Sequence, residues 1–132
     1  MKLGPVIPIL RMFDIRKAKE FYVDFLGFKV DWEHRFEPGF PLYMQVSRGD
    51  CLLHISEHHG DAAPGSAIRI MVDDVYALCA ELNGRQYGYA RPGVEVMPWK
   101  LHEMTVTDPF ANRLIFFDAR FSSDGQTPDA QG

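Results

Sequence analysis

The stretch CLLHISEHHGD, residues 51–61, sets three histidines and two acids within eleven positions. Imidazole and carboxylate at that density can hold a divalent ion, move a proton with helpers, or solvate a turn at a strand end. Strand alternation sorts them: His54 shares a face with Leu52 and Ser56, while Cys51, Leu53 and Ile55 face the other way. His54 is thus a face residue, there to bond a ligand, act as a base or line a wall. His58 and His59 fall past the strand end beside Gly60 and Asp61, where a solvated turn is expected. SRGD and SEHH contain nucleophile letters but no nucleophile elbow, and the glycines sit in turns rather than in a phosphate loop.

A second group of residues suits binding rather than bond-making. Trp32, His34 and Phe36 follow one another in DWEHRFEPGFPLY, with Tyr43 at its end, and Trp99 lies in MPWKLHEMTV. Aromatic faces of this kind stack on flat heteroaromatic ligands and offer a polar handle at the ring nitrogen. Glu33, Glu37, Glu95 and Glu103 are acids near the same elements. Glu103 stands out because it opens the EMTVTD strand, where its plain role is to pair with Arg113 or Arg91. Arg69 shares a face with Ala67 and Met71; an arginine in such a place needs a partner, either a protein carboxylate or an anionic ligand group.

The elements that position these residues follow from pattern. Asp14 caps the helix IRKAKEFYVDFLG, in which Ile15, Ala18, Phe21, Tyr22, Phe25 and Leu26 recur at helical spacing, and Gly27 closes it. A strand, VIPILRMFD, precedes it. FKVDWEHRF, with Val30, Trp32 and His34 on one face and Asp31, Glu33 and Arg35 on the other, then LYMQVS and CLLHISE, follow it as strands. After the linker GDAAPGS the order returns: strand AIRIMVD, a helix VYALCAELN capped by Asp73 or Asp74, and strands around YGYAR, EMTVTD and RLIFFD. Asp14-Ile15 and Asp74-Val75 stand sixty residues apart, which marks an internal repeat of two βαβββ modules. The modules span about 5–60 and 66–119 of one domain, 1–120, and the tail 121–132 is expected to be disordered.

Composition bounds the rest. At 132 residues, 46% hydrophobic and 24% charged, the chain suits one globular domain with a real core. No apolar run is long enough to span a bilayer and no cleavable leader is visible, so the cytoplasm is the expected compartment. Two cysteines, Cys51 and Cys79, are too few for a disulfide framework. A net charge of −4 with no basic stripe argues against nucleic acid.

The repeated modules, with FYVDFLGF and VTDPFANRLIFF in that order, resemble the vicinal oxygen chelate superfamily of glyoxalases, extradiol dioxygenases and bleomycin resistance proteins, the last most of all. The resemblance covers roughly residues 6–118. It implies an α+β fold whose two modules form a curled mixed sheet around a cavity, and a homodimer. In metal-dependent members four strand positions carry His, Glu or Gln; laid on this chain, those positions hold Ile7, His54, Ala67 and Ile115. Only His54 can coordinate, so the resemblance implies neither the family's metal nor any other cofactor. What it does imply is a protein of the bleomycin-resistance kind, sequestering an aromatic or hydrophobic ligand in a groove. Trp32, His34, Phe36, Tyr43, His54, Arg69, Trp99, Glu103, Ile115 and Phe117 would then line the ligand. The alternative is a divergent glyoxalase-like lyase or isomerase that uses His54 and Glu103 as acid and base, with or without a metal held by unusual ligands. Metal retention and the His54→Ala variant discriminate the two.

Overall fold

The computed structural model describes residues 1–85, 87–88 and 90–118, so the tail expected to be disordered lies outside the described residues. The described residues form two compact units: 1–66 with 108–112, and those of 67–107 with 113–118. Each holds a four-stranded mixed sheet of the α+β type.

In the first unit the order is β1 (Ile9–Arg11), α1 (Ile15–Lys19), β2 (Lys29–His34), β3 (Tyr43–Arg48) and β4 (Cys51–Ser56). The strands lie side by side as β1-β4-β3-β2, with β1 parallel to β4 and the other pairs antiparallel. Asp14 caps α1 as its sequence position requires, its carboxylate accepting from the Lys17 amide at 2.9 Å. Beyond Lys19 the helix widens into a π-turn over Glu20–Phe25, which the helical spacing does not announce. The widened turn leaves Phe21, Tyr22, Phe25 and Leu26 all buried. Gly27, at φ 79°, then ends the helix in the left-handed conformation, and the Phe28 amide reaches back to the Tyr22 carbonyl at 2.9 Å. These side chains join Leu10, Met12, Met44, Val46, Leu53 and Ile55, which all lie on one face of the sheet, to make the core.

The second unit repeats the plan with β5 (Ala67–Val72), α2 (Val75–Asn83), β6 (Val94–Val96), β7 (His102–Thr107) and β8 (Arg113–Asp118), ordered β5-β8-β7-β6. Of the two possible caps for α2, it is Asp74 that accepts from the Tyr76 and Ala77 amides, both at 3.0 Å. Part of the short strand expected around residues 87–91 lies outside the described residues, at position 89, and the strand among the described residues is Val94–Val96. Pro92 has no amide hydrogen to give a ladder, and the pairing with β7 begins beyond it, at Val94 opposite Met104.

The loop 108–112 joins β7 to β8 yet clusters with the first unit. Its buried Asp108 accepts from the Phe110 and Asn112 amides and from Asn112 Nδ2, each at 2.8 Å, and from Tyr22 Oη at 2.5 Å. Asn112, fully buried, donates to the Arg11 carbonyl at 2.9 Å and accepts from the Ser66 amide at 3.2 Å. The FY and DP..N motifs are thus two halves of one buried hydrogen-bond network.

Candidate functional site

Among the described residues, each sheet buries one face under its helix and has no helix over the other. On the first sheet that open face carries Ile9, His54, Gln45 and Trp32 in one row across β1, β4, β3 and β2, with Ser56, Tyr43 and His34 in the next. His54 lies on it with Leu52 and Ser56, as alternation predicts.

The strand β2 departs from simple alternation. Its register shifts between Val30 and Trp32, so that Val30 pairs with Val46 on the core face while Trp32 pairs with Gln45 on the open face. Asp31 is the extra residue of a β-bulge. The expected grouping of Val30 with Trp32 and His34 is therefore corrected: Trp32 and His34 share the open face, and Val30 does not. Asp31 also changes sides, since its carboxylate accepts from Gln45 Nε2 at 2.9 Å and Ser47 Oγ at 3.0 Å. Those two bonds, ahead of the opposing effect of desolvation, hold the Asp31 carboxyl below its ordinary value.

Three rings then meet. Trp32 stacks on Tyr43 at 6.0 Å between centroids and 10° between planes. His54 stands edge-on to both, at 5.3 Å from Trp32 and 5.1 Å from Tyr43. Tyr43 Oη lies 2.6 Å from His54 Nδ1, and His54 Nε2 lies 3.0 Å from Gln45 Oε1. Burial lowers the His54 pKa and raises that of Tyr43, the latter helped by the charge of Asp61. The indole of Trp32 remains 42% exposed, so this cluster presents an aromatic face to solvent rather than filling a core. Phe36 stands apart from it, 77% exposed and paired with Phe40 at 5.8 Å. Glu33 points to the helix side, bonded to Lys19 at 2.7 Å.

On the second sheet Arg69, Ile115, Phe117 and Glu103 come together on the open face, and Trp99 reaches it from the turn before β7. The partner of Glu103 is Arg69, in place of the expected Arg113 or Arg91. Arg69 donates to both carboxylate oxygens, at 3.3 and 2.8 Å, and lies 4.6 Å over the Phe117 ring. Trp99 Nε1 donates to the same carboxylate at 2.8 Å. Arg69 first, with Trp99 adding to it, keeps the buried Glu103 carboxyl below its ordinary value. Arg69 is thereby a structural partner whose fork is already filled. Folding gains from this pair above the unfolded carboxyl value, about pH 4.3, and the gain is lost as pH falls through the lower folded value. Glu103→Gln should cost about 1 kcal/mol at pH 7, the half-exposed Arg69 being partly screened, and should flatten the acid limb of stability between pH 5 and 3 in urea unfolding.

The donor set can be tested against a divalent ion. Directly across the parallel ladders, His54 faces Ile9 and Ile115 faces Arg69, two residues beyond Ile7 and Ala67 on the same faces. None of Ile7, Ile9, Ala67 or Ile115 has a lone pair to give, and Arg69 carries a positive charge already paired. Among the described residues no three of His, Cys, Asp and Glu come together in a way that would hold an ion. His58 stacks on His59 at 5.5 Å and lies 3.8 Å from Asp61, the geometry of a turn.

Gln45, Asp31 and Ser47 join this site without having been picked out from sequence. Gln45 was findable, since it alternates with Tyr43 on LYMQVS; Asp31 was hidden by the bulge. Also among the described residues, no helix is long and apolar enough to cross a membrane.

The chain matches, over residues 1–123, the model of a family described as glyoxalase superfamily protein. No curated protein sequence matches it. Among solved structures, the bleomycin-binding protein from bleomycin-producing Streptomyces verticillus, complexed with copper(II)-bleomycin, is 34% identical with a TM-score of 0.66, covering 88% of this chain and 96% of that one. The antibiotic-binding protein TnmS3 from Streptomyces sp. CB03234 is 24% identical, with a TM-score of 0.68 over 89% of this chain and 98% of that one. A bleomycin-binding protein complexed with bleomycin is 22% identical, with a TM-score of 0.67 over 88% and 98%. The last two likenesses concern the fold.

Proposed function

Because the chain belongs to the glyoxalase superfamily, we propose that it is a small-molecule-binding protein of the bleomycin-resistance kind, which holds an aromatic or hydrophobic ligand on the open face of its first sheet without a metal ion. The observation that carries this reading is the Trp32–Tyr43–His54 cluster, an exposed indole backed by a stacked phenol and an edge-on imidazole. Such a platform binds by area and stacking. That the Streptomyces verticillus relative is complexed with copper(II)-bleomycin supports a ligand of that heteroaromatic type. The resemblance supports a homodimer, and the net charge of −4 speaks against nucleic acid as partner.

The residues suit binding better than proton transfer. Both ring nitrogens of His54 are engaged within the protein, Nδ1 at 2.6 Å from Tyr43 Oη and Nε2 at 3.0 Å from Gln45 Oε1, so neither is left for a substrate or an ion. Glu103 is kept ionised by Arg69 and does not hold a proton to donate near neutral pH. Calorimetry with metal-free and copper-loaded bleomycin, alongside metal analysis of the dialysed protein, tests the reading. The expected result is about one ligand per chain with a Kd below about 1 µM, and no retained divalent ion. A stoichiometric ion that survives dialysis and disappears in His54→Ala would overturn it.

A further inference from the structure

The hydrogen bonds behind the aromatic face run in one direction. Asp31 can only accept, and it receives Gln45 Nε2 and Ser47 Oγ. That fixes the Gln45 amide with Oε1 toward His54, at 3.0 Å, so His54 Nε2 must carry the hydrogen. A neutral imidazole protonated at Nε2 has a bare Nδ1, and the single hydroxyl hydrogen of Tyr43 is committed to it at 2.6 Å. Each of these donors points along the chain toward Asp31. At the far end, Tyr43 Oη has lone pairs left and no hydrogen. The carboxylate whose charge reaches Tyr43 is Asp61, held by Ser56 Oγ at 2.7 Å, and it too can only accept.

We propose that this face discriminates by hydrogen-bond polarity, taking heteroaromatic ligands that place an N–H or O–H on Tyr43 Oη while a ring lies against Trp32, and that Tyr43 is the residue that sets this specificity. The inference rests on the binding reading above and adds to it the chemical class of the ligand. A ligand offering only an acceptor sets lone pair against lone pair. It binds only if the Tyr43 hydroxyl turns outward and leaves His54 Nδ1 unpaired. Protonating His54 reverses the outermost bond of the chain: Nδ1–H would then donate to Tyr43 Oη, and the tyrosine hydrogen would turn outward. The charged groups around His54 are Asp31, through Gln45 from β2, and Asp61 beyond β4. From β1 it faces the uncharged Ile9, while Arg11 in the next row donates to the Glu57 carbonyl.

The test compares two probes of one shape, 2-aminobenzothiazole and 2-methylbenzothiazole, by tryptophan fluorescence on the full chain. At pH 8 the amino probe should bind about five- to tenfold more tightly, the worth of one hydrogen bond. The preference, read as the ratio of the two affinities within each variant, should vanish in Tyr43→Phe. It should also shrink once the pH is low enough to protonate His54, which burial holds below the ordinary imidazole range. Equal binding of the two probes to the unaltered protein, or an unchanged preference in Tyr43→Phe, overturns the polarity proposal. If bleomycin binds in the same assay, the binding reading survives that failure. If neither the probes nor bleomycin bind, both fall.

Discussion

Replacing Asp108 by alanine is expected to lower the unfolding free energy by about 3–4 kcal/mol, a large effect for a single side chain. The carboxylate is buried, with 5% of its residue's surface exposed, and it accepts from Tyr22, from two backbone amides and from Asn112. Alanine removes all four acceptor interactions and leaves buried donors without partners. A buried donor left alone costs more than a bond is worth, because its lost hydration is not replaced. The loop also loses the bonds that shape it, and with them the placing of Asn112 on the Arg11 carbonyl. Tyr22→Phe deletes one donor together with its need for a partner, and should cost about 1 kcal/mol. Urea unfolding of the two single variants and the double variant checks this. If the network is one unit, the double variant loses clearly less than the sum of the singles. Simple additivity, or a loss in Asp108→Ala no larger than in Tyr22→Phe, would contradict the account of the motif.

The largest expected effect on binding belongs to Trp32. Trp32→Ala should weaken bleomycin binding about 30-fold, corresponding to a hot-spot contribution of about 2 kcal/mol. The indole supplies the exposed surface of the cluster, and its removal also unstacks Tyr43. Trp32→Phe keeps a ring on the same strand position and should recover part of the loss. The residue is half exposed and its strand is held by β3, so unfolding free energy should change little. Trp99 offers the contrast. It is 50% exposed, but its ring nitrogen is bound to Glu103, so Trp99→Phe should affect the second sheet's stability more than the affinity. A calorimetric comparison of the variants separates the two roles.

Much of this arrangement was legible in the sequence because local chemistry dictates it. Asp14 and Asp74 each precede an apolar helical pattern, and each caps its helix. Gly27 follows the last buried helical residue and takes the positive φ that such a position needs. The sixty-residue repeat announces two sheets with the same strand order, and two such sheets are present. What was not legible depends on long-range register. A period of two carries no sign of the bulge at Asp31, which moved Val30 off the face of Trp32 and brought Asp31 onto it. The pairing of Glu103 with Arg69 spans 34 residues and passes through β8, so nearer arginines looked equally suitable. Gln45 became important only through what lies on both sides of it, a carboxylate that fixes its amide and an imidazole that reads the result. The ten residues expected to line a ligand fall into a set on the first sheet and a set on the second, with Phe36 outside both. Sequence position alone did not distinguish a platform open to solvent from a carboxylate enclosed by its own arginine and tryptophan.

The most direct measurement is a fluorescence titration of the Trp99→Phe protein, in which Trp32 is the remaining tryptophan of two. Bleomycin is added metal-free, so that copper does not quench the indole by itself. The account predicts a saturable change in Trp32 emission that ends at about one ligand per chain, with a Kd below about 1 µM. A folded protein whose Trp32 emission stays constant through high micromolar ligand, while the Trp32→Phe variant responds through Trp99, would contradict it.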